Sequence, residues 1–238
     1  MDDGPEDLLR GALKIRQPEC KDGLRVNLDT ILLASFTKPR GNERILEIGC
    51  AHGAVSLILA KRGFSVEGVD IQPHLIELAS WNARYNGLED RARFYVGNLR
   101  EYKKLWRSQV FDRIVVNPPY YEESSHRSHS DALAAALHGT ECTLEDVIAA
   151  SRYLLKNKGA LDMVIRANRC GELFSLLDKY TTPPKIMRSV HPKPNANATV
   201  ILVEAMRAAR HGLIIEPPLF VVGSDGNETP DLLAAYRL

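Results

Sequence analysis

The sequence lacks the features that would indicate a membrane protein, an exported protein or a structural metal site. None of its apolar runs reaches the roughly 18 residues that indicate a membrane-spanning helix, and residues 1–5 are acidic where a signal peptide would be basic. Its four cysteines are scattered without a C-x-x-C pair, which indicates neither a zinc site nor a disulfide framework. We therefore expect a soluble protein of the reducing cytoplasm, with no membrane among its partners.

The chain as a whole has no large excess of positive or negative charge, because its net charge is only +1. Residues 151–211 nevertheless carry eleven lysines and arginines against four acids, whereas the last 27 residues carry four acids and one arginine. A basic segment suits a polyanion such as RNA. Ordinary solvated charge on surface helices explains the same pattern, since the imbalance is modest beside that of dedicated nucleic-acid binders. Both interpretations stay open at this point.

Aromatic residues are few, at 7%, but apolar residues make up 45% of the 238 residues and charged residues 26%. This composition suffices for one full hydrophobic core and shows no sign of disorder. We predict one α/β domain over residues 44–238. Residues 1–43 are predicted to form an extension that packs on this core, with a helix over 6–14, a hairpin over 17–29 and a helix over 30–36 capped by Asp29.

Short apolar strands alternate with helices through the middle of the chain. Strands are predicted at 44–48, 65–70, 92–96, 111–116 and 160–165, and helices at 54–62, 73–85, 99–106, 144–155 and 168–180. This alternation predicts right-handed βαβ units and a mainly parallel sheet. The strands predicted at 186–191 and 199–206 should pair antiparallel, because the loop between them is too short for a crossover helix. A last strand at 220–222 and a helix from Pro230 complete the prediction.

Four polar or glycine positions fall at the carboxyl ends of the predicted parallel strands, where ligands of such sheets bind: Gly49, Asp70, Asn98 and Asn117. Gly49 and Gly53 bound a turn between a strand and a helix, which lets a ligand approach backbone N–H groups. Their spacing differs from the dinucleotide fingerprint. Asp70 is placed to accept hydrogen bonds from ribose hydroxyls, and it is also a candidate N-cap for the helix from Pro73.

The tetrapeptide Asn117-Pro118-Pro119-Tyr120 ends its strand with an amide, a stiff bend and an aromatic ring, a combination suited to a flat ligand. The polar stretch after it is predicted to be a loop that closes over substrate. His126, His129 and His138 in or after this stretch lack metal-ligand spacing, and we predict no metal.

Three motifs, in this order and spacing, resemble those of class I S-adenosylmethionine-dependent methyltransferases that methylate amines: Leu46-Glu47-Ile48-Gly49-Cys50-Ala51-His52-Gly53, Asp70 and Asn117-Pro118-Pro119-Tyr120. Gln17, residues 23–26, residues 29–34, Tyr121 and residues 198–204 further resemble the YfiC-like tRNA adenine N6-methyltransferase family. The resemblance covers essentially the whole chain. The sequence departs from the family at Ala51, where the family usually has glycine, and at Asn98, where it commonly has aspartate. Of the family's basic pattern near the helix after the loop, only His138 remains.

The resemblance implies a single Rossmann-like class I methyltransferase domain. Its sheet would be mainly parallel and seven-stranded, with an antiparallel C-terminal hairpin and a short N-terminal extension. The implied cofactor is S-adenosyl-L-methionine, held by Glu47, Gly49, Ala51, Gly53, Asp70, Ile71, Asn98, Leu99 and Asn117. The implied catalytic residues are Asn117, Pro118, Pro119 and Tyr120, and the implied substrate contacts are Arg25, Asp29, Tyr120, Tyr121 and His138. Alanine at position 51 costs little energy provided that its φ stays negative.

The implied reaction is N6-methylation of an anticodon-loop adenine in tRNA, as in the tRNA1(Val) adenine-37 enzymes. The implied partner is therefore tRNA, and a monomer is favoured. Two alternatives stay open. One is methylation of another planar amine, namely guanine N2 or adenine N6 of ribosomal RNA or glutamine N5 of a protein, and the other is a non-catalytic module that binds RNA or a nucleotide.

Overall fold

A nine-stranded mixed sheet is the centre of the described part of the chain, which in this computed structural model comprises residues 4–18, 25–118 and 142–237. Its strands are β3 (Arg44–Ile48), β4 (Ser65–Asp70), β5 (Ala92–Val96), β6 (Phe111–Val116), β7 (Leu155–Arg166), β8 (Pro184–His191), β9 (Val200–Met206), β10 (Ile214–Ile215) and β11 (Leu219–Phe220). The strand order is β10-β8-β9-β7-β6-β3-β4-β5, and β11 also pairs with β8. A separate hairpin contains β1 (Glu6–Leu8) and β2 (Leu13–Ile15).

The five strands from β7 to β5 run parallel, whereas β9 pairs antiparallel with both β7 and β8. The predicted antiparallel pair near the C-terminus is therefore confirmed. The predicted mainly parallel sheet with an antiparallel C-terminal hairpin has this arrangement. β11 overlaps the strand predicted at 220–222, and β10 is an additional strand of two residues.

Seven α-helices lie in the described residues: α1 (Leu28–Phe36), α2 (Ala54–Lys61), α3 (Pro73–Tyr85), α4 (Tyr102–Leu105), α5 (Leu144–Leu154), α6 (Cys170–Lys179) and α7 (Pro230–Ala235). Short 3₁₀ turns at Leu99–Glu101 and Ala167–Arg169 lead into α4 and α6. The helix predicted over 144–155 begins with a full capping box, in which Thr143 and Asp146 bond each other's backbone N–H.

Alternate side chains of β3 enter two apolar clusters on opposite faces of the sheet, as the period of a strand requires. Ile45 packs with β1, β2, α1 and α2, whereas Leu46 and Ile48 pack with α5 and α6. The first cluster includes Leu8 and Leu13, so the N-terminal hairpin shares its core with the main sheet. The division of the chain at residue 43 stays a prediction.

Two predictions for the N-terminal region were wrong. Residues 6–14 form the hairpin of β1 and β2 instead of a helix, because Leu9, Arg10 and Gly11 all adopt positive φ (50°, 56° and 88°), which no right-handed helix accommodates. The N-cap of α1 is Asn27 instead of Asp29, since Asn27 Oδ1 accepts a hydrogen bond from Thr30 N at 3.0 Å. Residues 19–24 of the hairpin predicted at 17–29 lie outside the described residues.

Candidate active site

The four strand-end positions singled out in the sequence follow four adjacent strands. Asn117 comes directly after β6, Gly49 after β3, Asp70 ends β4 and Asn98 follows β5 by two residues. Adjacent strands lie about 4.8 Å apart, so Asn117 and Asp70 are separated by roughly 10 Å of sheet edge. From β3 the following strands β4 and β5 lie on one side, and the later strands β6 and β7 lie on the other. The position between β3 and β6 is therefore a topological switch point, where open α/β sheets bind ligands.

The turn of residues 49–53, here called the glycine turn, is bonded to the neighbouring strand β4. The backbone N–H groups of Gly49 and Cys50 both donate to Val69 O, at 2.9 and 3.1 Å. Gly49 is exposed at φ 69°, and a Cβ placed on it would meet no atom within 4 Å. The turn therefore leaves open space at Gly49, beside the switch point, for a ligand to approach the backbone.

Gly53, unlike Gly49, is closely surrounded by side chains. It adopts φ 87°, and an added Cβ would lie 2.8 Å from Phe94 Cζ and 3.1 Å from Ala79 Cβ. Gly68 on β4 also contacts the Phe94 ring so closely that a Cβ would meet it at 2.6 Å. These glycines let Phe94 pack between the glycine turn and α3, an interaction that sequence spacing alone did not indicate.

Ala51 has a positive φ of 46°, so the condition under which alanine costs little here is not met. The turn places it between Gly49 and Gly53, and its N–H donates to Asp70 Oδ2 at 3.0 Å, a bond that holds the strained conformation. A non-glycine residue in the left-handed region costs about 1–2 kcal/mol. The departure from glycine at this position therefore stores strain in the turn.

Glu47 lies beneath the glycine turn, with 4% of its surface exposed. Its Oε2 accepts hydrogen bonds from both the backbone N–H and the hydroxyl of Ser56, at 2.8 and 2.5 Å, and so supplies the cap that Gly53 has no side chain to provide. Burial raises the pKa of Glu47 to about 8, although the Ser56 bonds act in the opposite direction. Its assignment to cofactor binding stays a prediction, and Ser56 is a supporting residue that the sequence did not reveal.

Asp70 is also nearly buried, at 8% exposure. One carboxylate oxygen accepts from Ala51 N, and the other accepts from Gln72 N at 3.0 Å. The hypothesis that Asp70 caps α3 was wrong, because the N-cap is Gln72 and it makes no side-chain cap bond. Oδ1 also accepts a longer hydrogen bond from Gln72 Nε2, at 3.5 Å, whereas Oδ2 retains a lone pair for a further donor such as a ribose hydroxyl.

Of the two apolar residues predicted to hold the cofactor, Ile71 adds apolar surface next to Asp70 and Leu99 does not. Ile71 is 39% exposed, whereas Leu99 is buried in the core on the α5 side of the sheet. Asn98 caps the 3₁₀ turn through its Oδ1, which accepts from Arg100 N at 3.0 Å. The amide oxygen of Asn98 therefore already has one backbone donor.

Asn117 is half-buried and Pro118 is buried directly after β6. The other predicted residues of this region, namely Pro119, Tyr120, Tyr121 and His138, lie outside the described residues.

The predicted substrate contacts at the N-terminus lie beside the first hairpin. Arg25 Nη2 donates to both oxygens of Glu6, at 2.5 and 2.6 Å, and Gln17 Nε2 donates to Glu6 at 2.9 Å. Gln17 Oε1 accepts from Val26 N at 2.7 Å, which brings the two ends of residues 17–26 together. Asp29 lies in the first turn of α1. Substrate binding by Arg25 and Asp29 stays a prediction.

The basic residues of 151–211 are largely occupied within the protein. Ion pairs join Lys156 to Asp112, Arg169 to Glu172, Lys179 to Glu145 and Arg188 to Asp231. Arg207 is 9% exposed and donates to Leu155 O at 2.9 Å. These pairings favour the interpretation of ordinary surface charge for much of the segment.

Within the described ranges, no helix is long and apolar enough to cross a membrane. The same ranges contain no group of three or more His, Cys, Asp or Glu side chains arranged to hold a metal ion.

Comparison with known proteins agrees with the fold. Residues 39–193 match a family described as "Methyltransferase domain". A predicted O-methyltransferase from Agrobacterium tumefaciens has a similar structure, with a TM-score of 0.70 over 87% of this chain and 96% of that one, at 19% sequence identity. The fold is thus that of the class I S-adenosylmethionine-dependent methyltransferases.

Two curated relatives narrow the family further. The tRNA1(Val) (adenine(37)-N6)-methyltransferase of Actinobacillus pleuropneumoniae is 31% identical over 149 residues, which are 61% of this chain and 61% of the relative. The enzyme of the same name from Dyadobacter fermentans is 25% identical over 89% of this chain and 87% of the relative. The first of these relatives is thus matched over about three fifths of its length.

The chain belongs to the methyltransferase-domain family, whose cofactor is S-adenosyl-L-methionine. The relatives also confirm the resemblance to the tRNA adenine N6-methyltransferases that the motifs indicated.

Proposed function

We propose that the protein methylates the N6 amine of an adenine in tRNA, with S-adenosyl-L-methionine as the methyl donor. The observation that carries the proposal is the position of Asn117-Pro118, which follows β6 at the switch point, directly beside the glycine turn that follows β3. The curated relatives, which are named for N6-methylation of adenine 37 in tRNA1(Val), support this acceptor.

The described residues fit the cofactor. The open space at Gly49 suits the methionine end, the free lone pair of Asp70 Oδ2 suits a ribose hydroxyl, and the exposed side chain of Ile71 offers apolar contact to an adenine ring. When bound there, the cofactor supplies an electrophilic methyl group on sulfur.

The protein's own part in the reaction is to orient the acceptor amine. The lone pair of an exocyclic adenine amine is delocalised into the ring, so the amine is a poor nucleophile. In our proposal, Asn117 Oδ1 and the Pro118 carbonyl accept its two hydrogens, which favours tetrahedral geometry at nitrogen and directs the lone pair towards the methyl donor. This role requires position and electrostatic stabilisation more than a strong base.

Recognition of the base requires it to leave the stack of its neighbours. We propose that Tyr120 stacks on the extruded adenine, with a contribution of about 1–3 kcal/mol, and that Tyr121, His138, Arg25 and Asp29 contact the surrounding RNA. The pairing of Arg25 with Glu6 implies that a phosphate at Arg25 would compete with this carboxylate.

Incubation of unmodified tRNA with methyl-labelled S-adenosylmethionine tests the proposal. The wild-type protein should produce N6-methyladenine, detected by mass spectrometry of nucleosides. Asn117→Ala should abolish the product, whereas Asn117→Asp, which keeps an acceptor oxygen, should retain part of it. Asn42→Ala, on an exposed turn before β3, is the matched control and should behave as the wild type.

Other outcomes of this assay identify the alternatives. Label in ribosomal RNA or in protein glutamine, with none in tRNA, contradicts the tRNA proposal and assigns a different planar amine. Binding of S-adenosylhomocysteine without methyl transfer to any of these acceptors contradicts the enzymatic proposal and favours a binding module.

A further inference from the structure

Asn82 is a fully buried polar side chain near the end of α3 that bonds two separate parts of the chain. Its Nδ2 donates to His52 O, in the glycine turn, at 3.0 Å. The same Nδ2 donates to Arg16 O at 3.0 Å, while its Oδ1 accepts from Arg16 N at 2.7 Å. Because Arg16 N is a donor and the two carbonyls are acceptors, only this orientation of the amide satisfies all three bonds.

The bond to His52 acts on the strained part of the glycine turn. His52 lies between Ala51 and Gly53, whose φ angles are both positive, at 46° and 87°. A hydrogen bond to the His52 carbonyl fixes the direction of the peptide that follows it. Asn82 thus holds the turn from the side of α3, while Asp70 holds it from the side of β4.

The bonds to Arg16 act on the N-terminal segment, here defined as residues 13–18. Arg16 directly precedes Gln17, which bonds Val26 N and Glu6, and Glu6 in turn holds Arg25. A displacement of Arg16 is therefore passed to the residues that we propose to contact RNA. Asn82 thus bonds both the glycine turn and the N-terminal segment.

We propose that Asn82 is a positioning residue that couples cofactor binding at the glycine turn to the conformation of the N-terminal segment. This inference rests on the proposed function, because it requires the cofactor to occupy the glycine turn. Coupling of this kind is reciprocal, so the cofactor should order the N-terminal segment as much as that segment favours cofactor binding.

Asn86 provides a matched control one helical turn later. Its Oδ1 accepts from Lys14 N at 3.0 Å and its Nδ2 donates to Lys14 O at 2.7 Å, the same pairing that Asn82 makes with Arg16. Its further bond, however, goes to Asn82 O in the backbone of α3, at 2.8 Å. Asn86→Ala therefore weakens the attachment of the N-terminal segment without removing a bond to the glycine turn.

Titration calorimetry with S-adenosylhomocysteine compares the two positions. We expect Asn82→Ala to raise the Kd about tenfold, within the usual range for coupled sites, and Asn86→Ala to leave it within about twofold. Equal losses of affinity in both variants, or no loss in Asn82→Ala, would overturn the role of Asn82. Absence of binding by the wild type contradicts the proposed function itself, which separates the two failures.

Hydrogen exchange of the N-terminal segment measures the coupling directly. S-adenosylhomocysteine should slow exchange in residues 13–18 of the wild type and of Asn86→Ala, but not of Asn82→Ala. A purely structural role would lower the Tm of both variants and leave this ligand-dependent protection unchanged. If Asn82→Ala does not fold, Asn82→Asp keeps the acceptor for Arg16 N and lacks both donors, and it takes the place of the alanine variant. A wild type that binds the ligand without protection of residues 13–18 contradicts the coupling whatever the variants do.

Discussion

The backbone N–H of Ala51 donates a 3.0 Å hydrogen bond to Asp70 Oδ2, so the carboxylate proposed to bind the ribose also supports the turn proposed to hold the methionine end. The second oxygen of Asp70 accepts from Gln72 N, at the start of the connection to α3. One nearly buried side chain therefore sets the relative position of the ends of β3 and β4. Substitutions at Asp70 should consequently alter both stability and ligand binding.

Asp70→Ala removes both of these acceptors. We expect the free energy of unfolding to fall by about 1–3 kcal/mol, because two backbone N–H groups lose their partners, and S-adenosylhomocysteine binding to become undetectable by calorimetry. Asp70→Asn should also lose binding, because its NH₂ group is a donor and would face one of the two backbone N–H groups in place of an acceptor oxygen. Asp90→Ala removes an exposed acid before β5 and should change neither quantity. Retained binding in Asp70→Ala would contradict the assignment of the ribose site.

Ala51→Gly should stabilise the protein. At φ 46° the methyl group of Ala51 costs about 1–2 kcal/mol, and glycine removes this strain while adding about 0.4–1 kcal/mol of freedom to the unfolded chain. The net expectation is an increase of about 0.5–1 kcal/mol in the free energy of unfolding, measured in urea. A decrease would show that the Ala51 methyl group makes a packing contribution larger than its strain.

Gly49→Ala and Gly53→Ala form a matched pair, because both glycines have similar φ angles but different neighbours. Gly49→Ala introduces only backbone strain, about 1–2 kcal/mol, since no atom lies within 4 Å of the new Cβ. Gly53→Ala adds a contact of 2.8 Å with Phe94 Cζ and should cost more by about 1–3 kcal/mol.

The two variants should rank in the opposite order when their affinity for the ligand is compared instead of their stability. The methyl group of Gly49→Ala enters the space proposed for the cofactor, so this variant should lose S-adenosylhomocysteine affinity while it remains folded. Calorimetry and urea unfolding measure the two effects separately. Equal destabilisation of both variants, with unchanged affinity in Gly49→Ala, would contradict this description of the turn.

The alternation of strands and helices predicted the sheet correctly, because apolar periodicity determines which face of each element is buried. It placed Gly49, Asp70, Asn98 and Asn117 at one sheet edge for the same reason. The N-terminal hairpin was missed because Leu8, Leu9, Ala12 and Leu13 are apolar at spacings that also fit a helix. The positive φ of Leu9 and Arg10 has no signature in sequence.

In the candidate site, too, contacts between residues distant in sequence could not be predicted. Nothing in the spacing of Phe94 and Gly53 indicates that they touch, and the strain at Ala51 depends on a bond to Asp70. Asn82 and Asn86 did indicate a role outside the helix itself. Asparagine is a poor helix former, and two asparagines four residues apart lie on the same face of a helix. Their partners in residues 14 and 16 could not be identified without the fold.

The raised pKa of Glu47 leads us to expect that the stability of the protein depends on pH. Its folded-state pKa is about 8, because burial disfavours the carboxylate, and its ordinary value is near 4.5. Between these two values the folded protein binds a proton that the unfolded chain has released. The free energy of unfolding should therefore fall as pH rises through this window, by up to about 1.4 kcal/mol per pH unit from this group, and become level above pH 8.

Glu47→Gln isolates this contribution, because glutamine keeps an acceptor oxygen for Ser56 and has no proton to release. Urea unfolding at pH 5, 6.5, 8 and 9 should show the wild type losing stability relative to the variant as pH rises. Asp162, whose pKa burial raises to about 6, changes stability in the same direction, but it is present in both proteins and cancels in the difference. Parallel curves for the two proteins would mean that Glu47 is ionised in the fold, with its charge stabilised by the Ser56 bonds.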